Sequence, residues 1–110
     1  MSLTTSLIPP TAATSETKTV TASTSHSSIF SGTGSANTLT SPVPRSAVIT
    51  VNTDTYFRMT TGATDTVAAD GTDMLLLANQ MYRFKPIPNG FYLHFIRKSA
   101  DGNVYITPDA

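Results

Sequence analysis

Apolar and polar positions alternate with a period of two through most of this chain. No segment sustains the 3.6-residue spacing of an amphipathic helix. From residue 16, Thr17, Thr19 and Thr21 alternate with Lys18, Val20 and Ala22, a β-branched stretch that predicts a strand. Residues 27–31 (S-S-I-F-S) form a short second strand candidate. A loop follows at 32–37, and 39–44 crosses over, with Pro42 and Pro44 marking an edge or a turn. Residues 46–51 predict a buried strand, 52–54 a turn, and 55–60 the hairpin partner of that strand. A polar loop spans 62–72, then a short apolar run at 74–77 and a strand from 79 to 84 that leads into Lys85. Residues 86–90 turn the chain, and Asn89-Gly90 suits a position that needs positive φ. The longest strand is expected over 90–97, a turn over 99–102, and a closing strand over 103–107 before Pro108.

Seven or eight short strands separated by turn signals argue for an all-β protein. The expected architecture is an antiparallel β-sandwich, jelly-roll-like or a small barrel, with an extended N-terminal arm. The arm is placed at 1–15 and the sandwich at 16–110. Expected inward residues are Val20, Ile49, Val51, Phe57, Met59, Phe84, Phe91, Leu93, Phe95, Val104 and Ile106. The strand at 90–97 is apolar on both faces, with Phe91, Leu93 and Phe95 on one and Tyr92, His94 and Ile96 on the other. A strand of that kind is covered on both faces, so the arm or another subunit is expected to lie over Tyr92, His94 and Ile96 as an interface.

Composition sharpens the picture of the N-terminal stretch. Of the first 46 residues 22 are Ser or Thr, and only Glu16 and Lys18 are charged before Arg45. Such a stretch buries too little apolar surface to offset its ordering entropy. Its large apolar groups before residue 16 are Leu3, Leu7 and Ile8, beside Pro9 and Pro10, which enforce extended backbone. The reading is an anchoring arm that lays these residues on a neighbour. The formal net charge is zero and charged residues make up 13%, which gives no pull toward nucleic acid or anionic membrane and little repulsion between copies. There is no cysteine, hence no disulfide framework and no thiolate metal site. The start of the chain has no basic and apolar leader pattern, so export by the standard route is not expected.

Candidate chemistry is sparse. His26 and His94 are the two histidines, and a His between Leu93 and Phe95 reads first as a packed aromatic. Asp65, Asp70 and Asp73 share one loop and could gather a hard cation, but their spacing fits turn formers and caps better. Arg58, Arg83, Lys85, Arg97 and Lys98 could join Tyr56, Tyr82 and Tyr92 in a stacking surface for single strands. Solvated strand-face charges account for them better. No catalytic residue, metal ligand or cofactor site is assigned, and an enzyme is not expected.

The order of segments resembles a type of small virion protein of tailed bacteriophages. The resemblance runs from 18 to 108 and rests on Val20-Thr-Ala-Ser-Thr-Ser25, Ala47-Val-Ile-Thr-Val-Asn52, Thr55-Tyr-Phe-Arg58, Asp73-Met74 and Asn103-Val-Tyr-Ile-Thr-Pro108. It implies a head decoration, or cement, protein made in the host cytoplasm and located on the phage head. It further implies that many copies bind the major capsid protein and sister copies, as a homo-oligomer with a trimer favoured. A neck, tail or fibre-adaptor protein and a glycan-binding host-surface module are the alternatives.

Overall fold

The computed structural model describes residues 15–31, 45–67, 72–88 and 90–108. The expected arm residues Leu3, Leu7, Ile8, Pro9 and Pro10 lie outside them. Eight strands form: β1 (Glu16–Val20), β2 (Ser25–Ser27), β3 (Arg45–Val51), β4 (Thr55–Thr60), β5 (Met74–Leu76), β6 (Met81–Ile87), β7 (Tyr92–Arg97) and β8 (Gly102–Pro108). They make two antiparallel four-stranded sheets. Sheet I has the order β1-β8-β3-β6 and sheet II the order β2-β7-β4-β5. Pairing β1 with β8, β2 with β7, β3 with β6 and β4 with β5 makes the chain one long folded-back ribbon. The β3–β8 and β4–β7 ladders roll that ribbon into a sandwich. This is the strand order of a jelly roll.

The core lies between the sheets and follows the period-two pattern. Val104 and Ile106 of β8 and Ala47, Ile49 and Val51 of β3 face Leu93 and Phe95 of β7, Phe57 of β4 and Leu76 of β5. The Phe57 ring centroid lies 5.3 Å from that of Phe95 and 5.3 Å from that of Phe84, within the range of favourable tilted pairs. Met59 departs from the expected inward set. It stays 37% exposed, because β4 ends one residue later and no strand covers it. Ile29, Phe30, Leu76 and Ile87 are buried although they were not expected to be. The segment after β2 is no strand: β2 stops at Ser27, and Ile29 and Phe30 turn in to plug the core. Gly90, at φ 95°, donates its N–H to the Phe30 carbonyl at 3.1 Å.

Three further expectations are corrected. First, β3 and β4 do not form a hairpin. The 52–54 turn carries the chain from sheet I to sheet II, and distant partners hold it there. Asn52 Oδ1 accepts from the Asn103 N–H at 2.7 Å, Thr53 Oγ1 donates to the Ala100 carbonyl at 3.0 Å, and Asp54 Oδ1 accepts from the Ala78 N–H at 2.8 Å. A Cβ on Gly102 would come within 2.3 Å of Asn52 Oδ1, so the glycine permits this close approach. Second, Asn79 is in a turn at φ 61°, its N–H on the Val51 carbonyl at 2.7 Å, and β6 begins only at Met81. Third, β6 runs through Pro86 to Ile87. Between Arg45↔Ile87 and Ala47↔Phe84 the register slips by one residue. A bulge on an edge strand tolerates a proline that a central strand would not.

Both open sides of the sandwich are laced. On one, Glu16 of β1 accepts a hydrogen bond from the buried Ser27 hydroxyl of β2, and the Ser25 hydroxyl donates to the Thr19 carbonyl. On the other, the Tyr82 hydroxyl of β6 accepts from the Leu77 N–H at 2.9 Å, just past β5. Glu16 is an inward-directed charge on an edge strand, a feature that discourages edge-to-edge pairing.

Candidate functional site

The two outer faces of the sandwich are built differently. On sheet II, alternation directs Tyr56, Arg58 and Thr60 of β4, Tyr92, His94 and Ile96 of β7, and His26 of β2 away from the core. This face is not bare. Tyr56 is buried, Tyr92 and Ile96 are half-buried, and His94 has no exposed surface. Among the described residues the 61–67 segment that follows β4 lies on this face. The loop leaves Thr60, passes His94 and reaches Thr24, just before the edge strand β2. The Val67 N–H bonds Thr24 Oγ1 at 3.4 Å and Val67 is buried. Arg58 on the strand below donates to the Thr66 carbonyl at 3.1 Å. Of the three expected interface residues, Tyr92 and Ile96 therefore keep surface and His94 keeps none.

Beneath the loop lies a polar cluster. His26 and His94 are directly opposite each other in the β2–β7 ladder. Their Nδ1 atoms are 2.8 Å apart, with the rings edge to face at 79°. His94 Nε2 is 2.8 Å from Thr60 Oγ1. That hydroxyl lies 3.2 Å from both the carbonyl and the N–H of Gly62, where the loop begins. Burial, and then the neighbouring His26, hold the His94 imidazole below its ordinary pKa of 6.5; Asp65 and the Gly62 carbonyl oppose that shift, and Arg58 adds slightly to it.

A hydroxyl, an imidazole and a second imidazole in a row have the connectivity of a nucleophile, a base and an orienting group. The surroundings do not suit that chemistry. His94 has no exposed surface and its Nε2 is taken up by Thr60, itself half-buried. The cluster instead satisfies polar groups that the loop has buried, as buried networks must.

The other candidates disperse. Asp65 lies against Gly62, Asp73 is half-buried beside β5, and Asp70 is outside the described residues. Among the described residues no group of three metal-ligating side chains gathers. The basic residues separate onto different surfaces: Arg58 on the outer face of sheet II, Arg83 and Lys85 on that of sheet I, and Arg97 paired with Asp101 at the end of the sandwich. Tyr56 is buried and Tyr82 is engaged with Leu77. No single basic–aromatic surface results.

Sheet I carries the open face. One row of outward residues crosses it from β1 to β6, Thr17–Tyr105–Thr50–Met81. Tyr105 is 40% and Met81 63% exposed. Thr19, Asn103 and Thr107 surround the row, and the charges at outward positions here are Arg83 and Lys85, on the β6 edge. This surface was missed in the sequence because Tyr105 and Met81 belong to strands 24 residues apart, joined only through β3. Among the described residues no helix is long and apolar enough to cross a membrane. No protein-family model matches the chain, and no curated protein or solved structure matches it significantly.

Proposed function

We propose that this protein is a structural component of a tailed-bacteriophage particle, a decoration or cement protein that binds the major capsid protein in many copies and stabilises the head. The observation that carries the reading is the pairing of a jelly-roll sandwich with an outer face, that of sheet I, on which Tyr105 and Met81 stay exposed. The jelly roll is a fold of viral capsid and lectin domains, an argument by fold analogy. The outer face of sheet I adds a site: Tyr105 with hydroxyls around it and its charges, Arg83 and Lys85, at the β6 edge, suited to broad contact rather than to chemistry. Many weak attachments of this kind multiply through avidity on a repeating shell. The arm at 1–15 would supply a second contact, to capsid or to a sister copy.

Copy number tests the reading. Quantitative mass spectrometry of purified particles is expected to find the protein in proportion to the major capsid protein. A handful of copies would move it to the neck or tail, and its absence from particles would overturn the proposal. Light scattering with and without residues 1–15 addresses the oligomer: a trimer that dissociates on truncation places the arm between sister copies.

One observation favours a second reading. Tyr105 ringed by Thr17, Thr50, Asn103 and Thr107 is also the kind of platform on which a sugar ring stacks. Reproducible hits on a glycan array, abolished by Tyr105→Ala, would establish a host-surface glycan module instead.

A further inference from the structure

The His26–His94 contact has a property that follows from proton counting alone. Two Nδ1 atoms 2.8 Å apart share one hydrogen. The neutral pair satisfies this in either direction. The singly protonated pair also satisfies it: a cationic His26 donates Nδ1–H to His94, His94 donates Nε2–H to Thr60, and Thr60 donates to the Gly62 carbonyl. A second proton cannot be accommodated. Both Nδ1 atoms would then carry hydrogens aimed at one another, with two cations in contact and one of them without exposed surface.

The pair also sits where the loop is fastened. One fastening is at Thr60 and Gly62, reached through His94 Nε2. The other is Val67 on Thr24, two residues before His26 and directly before its edge strand. The β2 strand itself is three residues long, and its pairing with β7 is centred on the His26–His94 step. We propose that His26 and His94 form a pH-sensitive clasp, which holds β2 and the β4–β5 loop on sheet II when neutral or singly protonated and releases both when a second proton enters. The surface freed is the outer face around His94, which has no exposed surface in the closed form.

The charged and titratable groups facing His94 act in both directions. His26 from β2 and Arg58 from β4 resist its protonation, while Asp65 from the loop favours it. Burial adds to the resistance, so the folded pair refuses a proton that the opened form accepts. The sign follows: well above the ordinary imidazole value of 6.5 the clasp is closed. As pH falls through the ordinary imidazole value of 6.5, the opened form gains a proton that the closed form lacks. Within that window, one proton taken up on opening makes the opened population rise up to about tenfold per pH unit. The inference does not depend on the capsid reading.

Hydrogen exchange of the full chain tests it. After correction for intrinsic rates, protection of the amides at 25–27 and 62–67 is expected to fall about tenfold or more between pH 7.5 and pH 5, with the β3 and β8 core amides unchanged. In His26→Gln, His94 can donate Nδ1–H to an amide oxygen, and most of the step should vanish. Equal protection at both pH values, or the same step in His26→Gln, would overturn the clasp. Should that variant not fold, imidazole NMR of the unaltered protein decides. Two coupled, separated titration steps support the proposal, and two independent ordinary titrations refute it.

Discussion

The outer faces of the two sheets both carry aromatic and apolar side chains, and sheet II keeps more of them from solvent than sheet I does. Sheet II directs Tyr56, Tyr92, His94 and Ile96 outward, and its 61–67 segment reaches across this face to Thr24 and leaves His94 without exposed surface. Sheet I directs Tyr105, Val48, Thr50 and Met81 outward and leaves Tyr105 and Met81 exposed. The difference comes from connectivity. In a rolled ribbon the β4–β5 connection is the ribbon's tip, so it does not have to bridge the sheets and can fold back over one of them. The lesson is that alternation sets which way a side chain points and not how much of it stays exposed. What matters is whether the chain spends a loop on covering it.

Substitutions on the two faces should separate them, the largest effect coming first. His94→Ala leaves a cavity and strands the Thr60 network; we expect a loss of about 3 kcal/mol in denaturant unfolding. Acidification from pH 7.5 to pH 5 should destabilise the unaltered protein. The loss begins below the ordinary imidazole value of 6.5, because the folded pKa of His94 is lowered and the unfolded chain binds the proton first. His94→Gln should flatten that profile. Thr24→Ala removes the partner of the Val67 N–H and should cost about 1 kcal/mol, with extra exchange confined to the loop. Tyr105→Ala on the open face should change stability by no more than about 0.5 kcal/mol. A large loss there would show that this face is already covered and would break the comparison.

Much of the fold was legible because period-two alternation survives in every long strand. Val104 and Ile106, Leu93 and Phe95, and Ile49 and Val51 are inward as their spacing implied. What local pattern could not reveal was which strand pairs with which. The 52–54 turn looks the same for a hairpin as for a crossover between sheets, and the deciding bonds go to Ala78, Ala100 and Asn103. The histidine pair was hidden for the same reason, since its members are 68 residues apart. Laying the chain out as one folded ribbon would have set them opposite each other, because residue numbers across the β1–β8 and β2–β7 ladders have nearly constant sums. Val48 and Tyr56 are outward by alternation yet buried, and period alone carries no signal for that.

The most direct test of the account is cosedimentation of the protein with capsid shells isolated without it, comparing the unaltered chain with Tyr105→Asp. The account predicts saturable binding that weakens at least about tenfold in the variant, which is 1.4 kcal/mol, while the melting temperature stays the same. Equal binding by both proteins, or no binding by the unaltered chain, would contradict the claim that the open face of sheet I is the attachment surface.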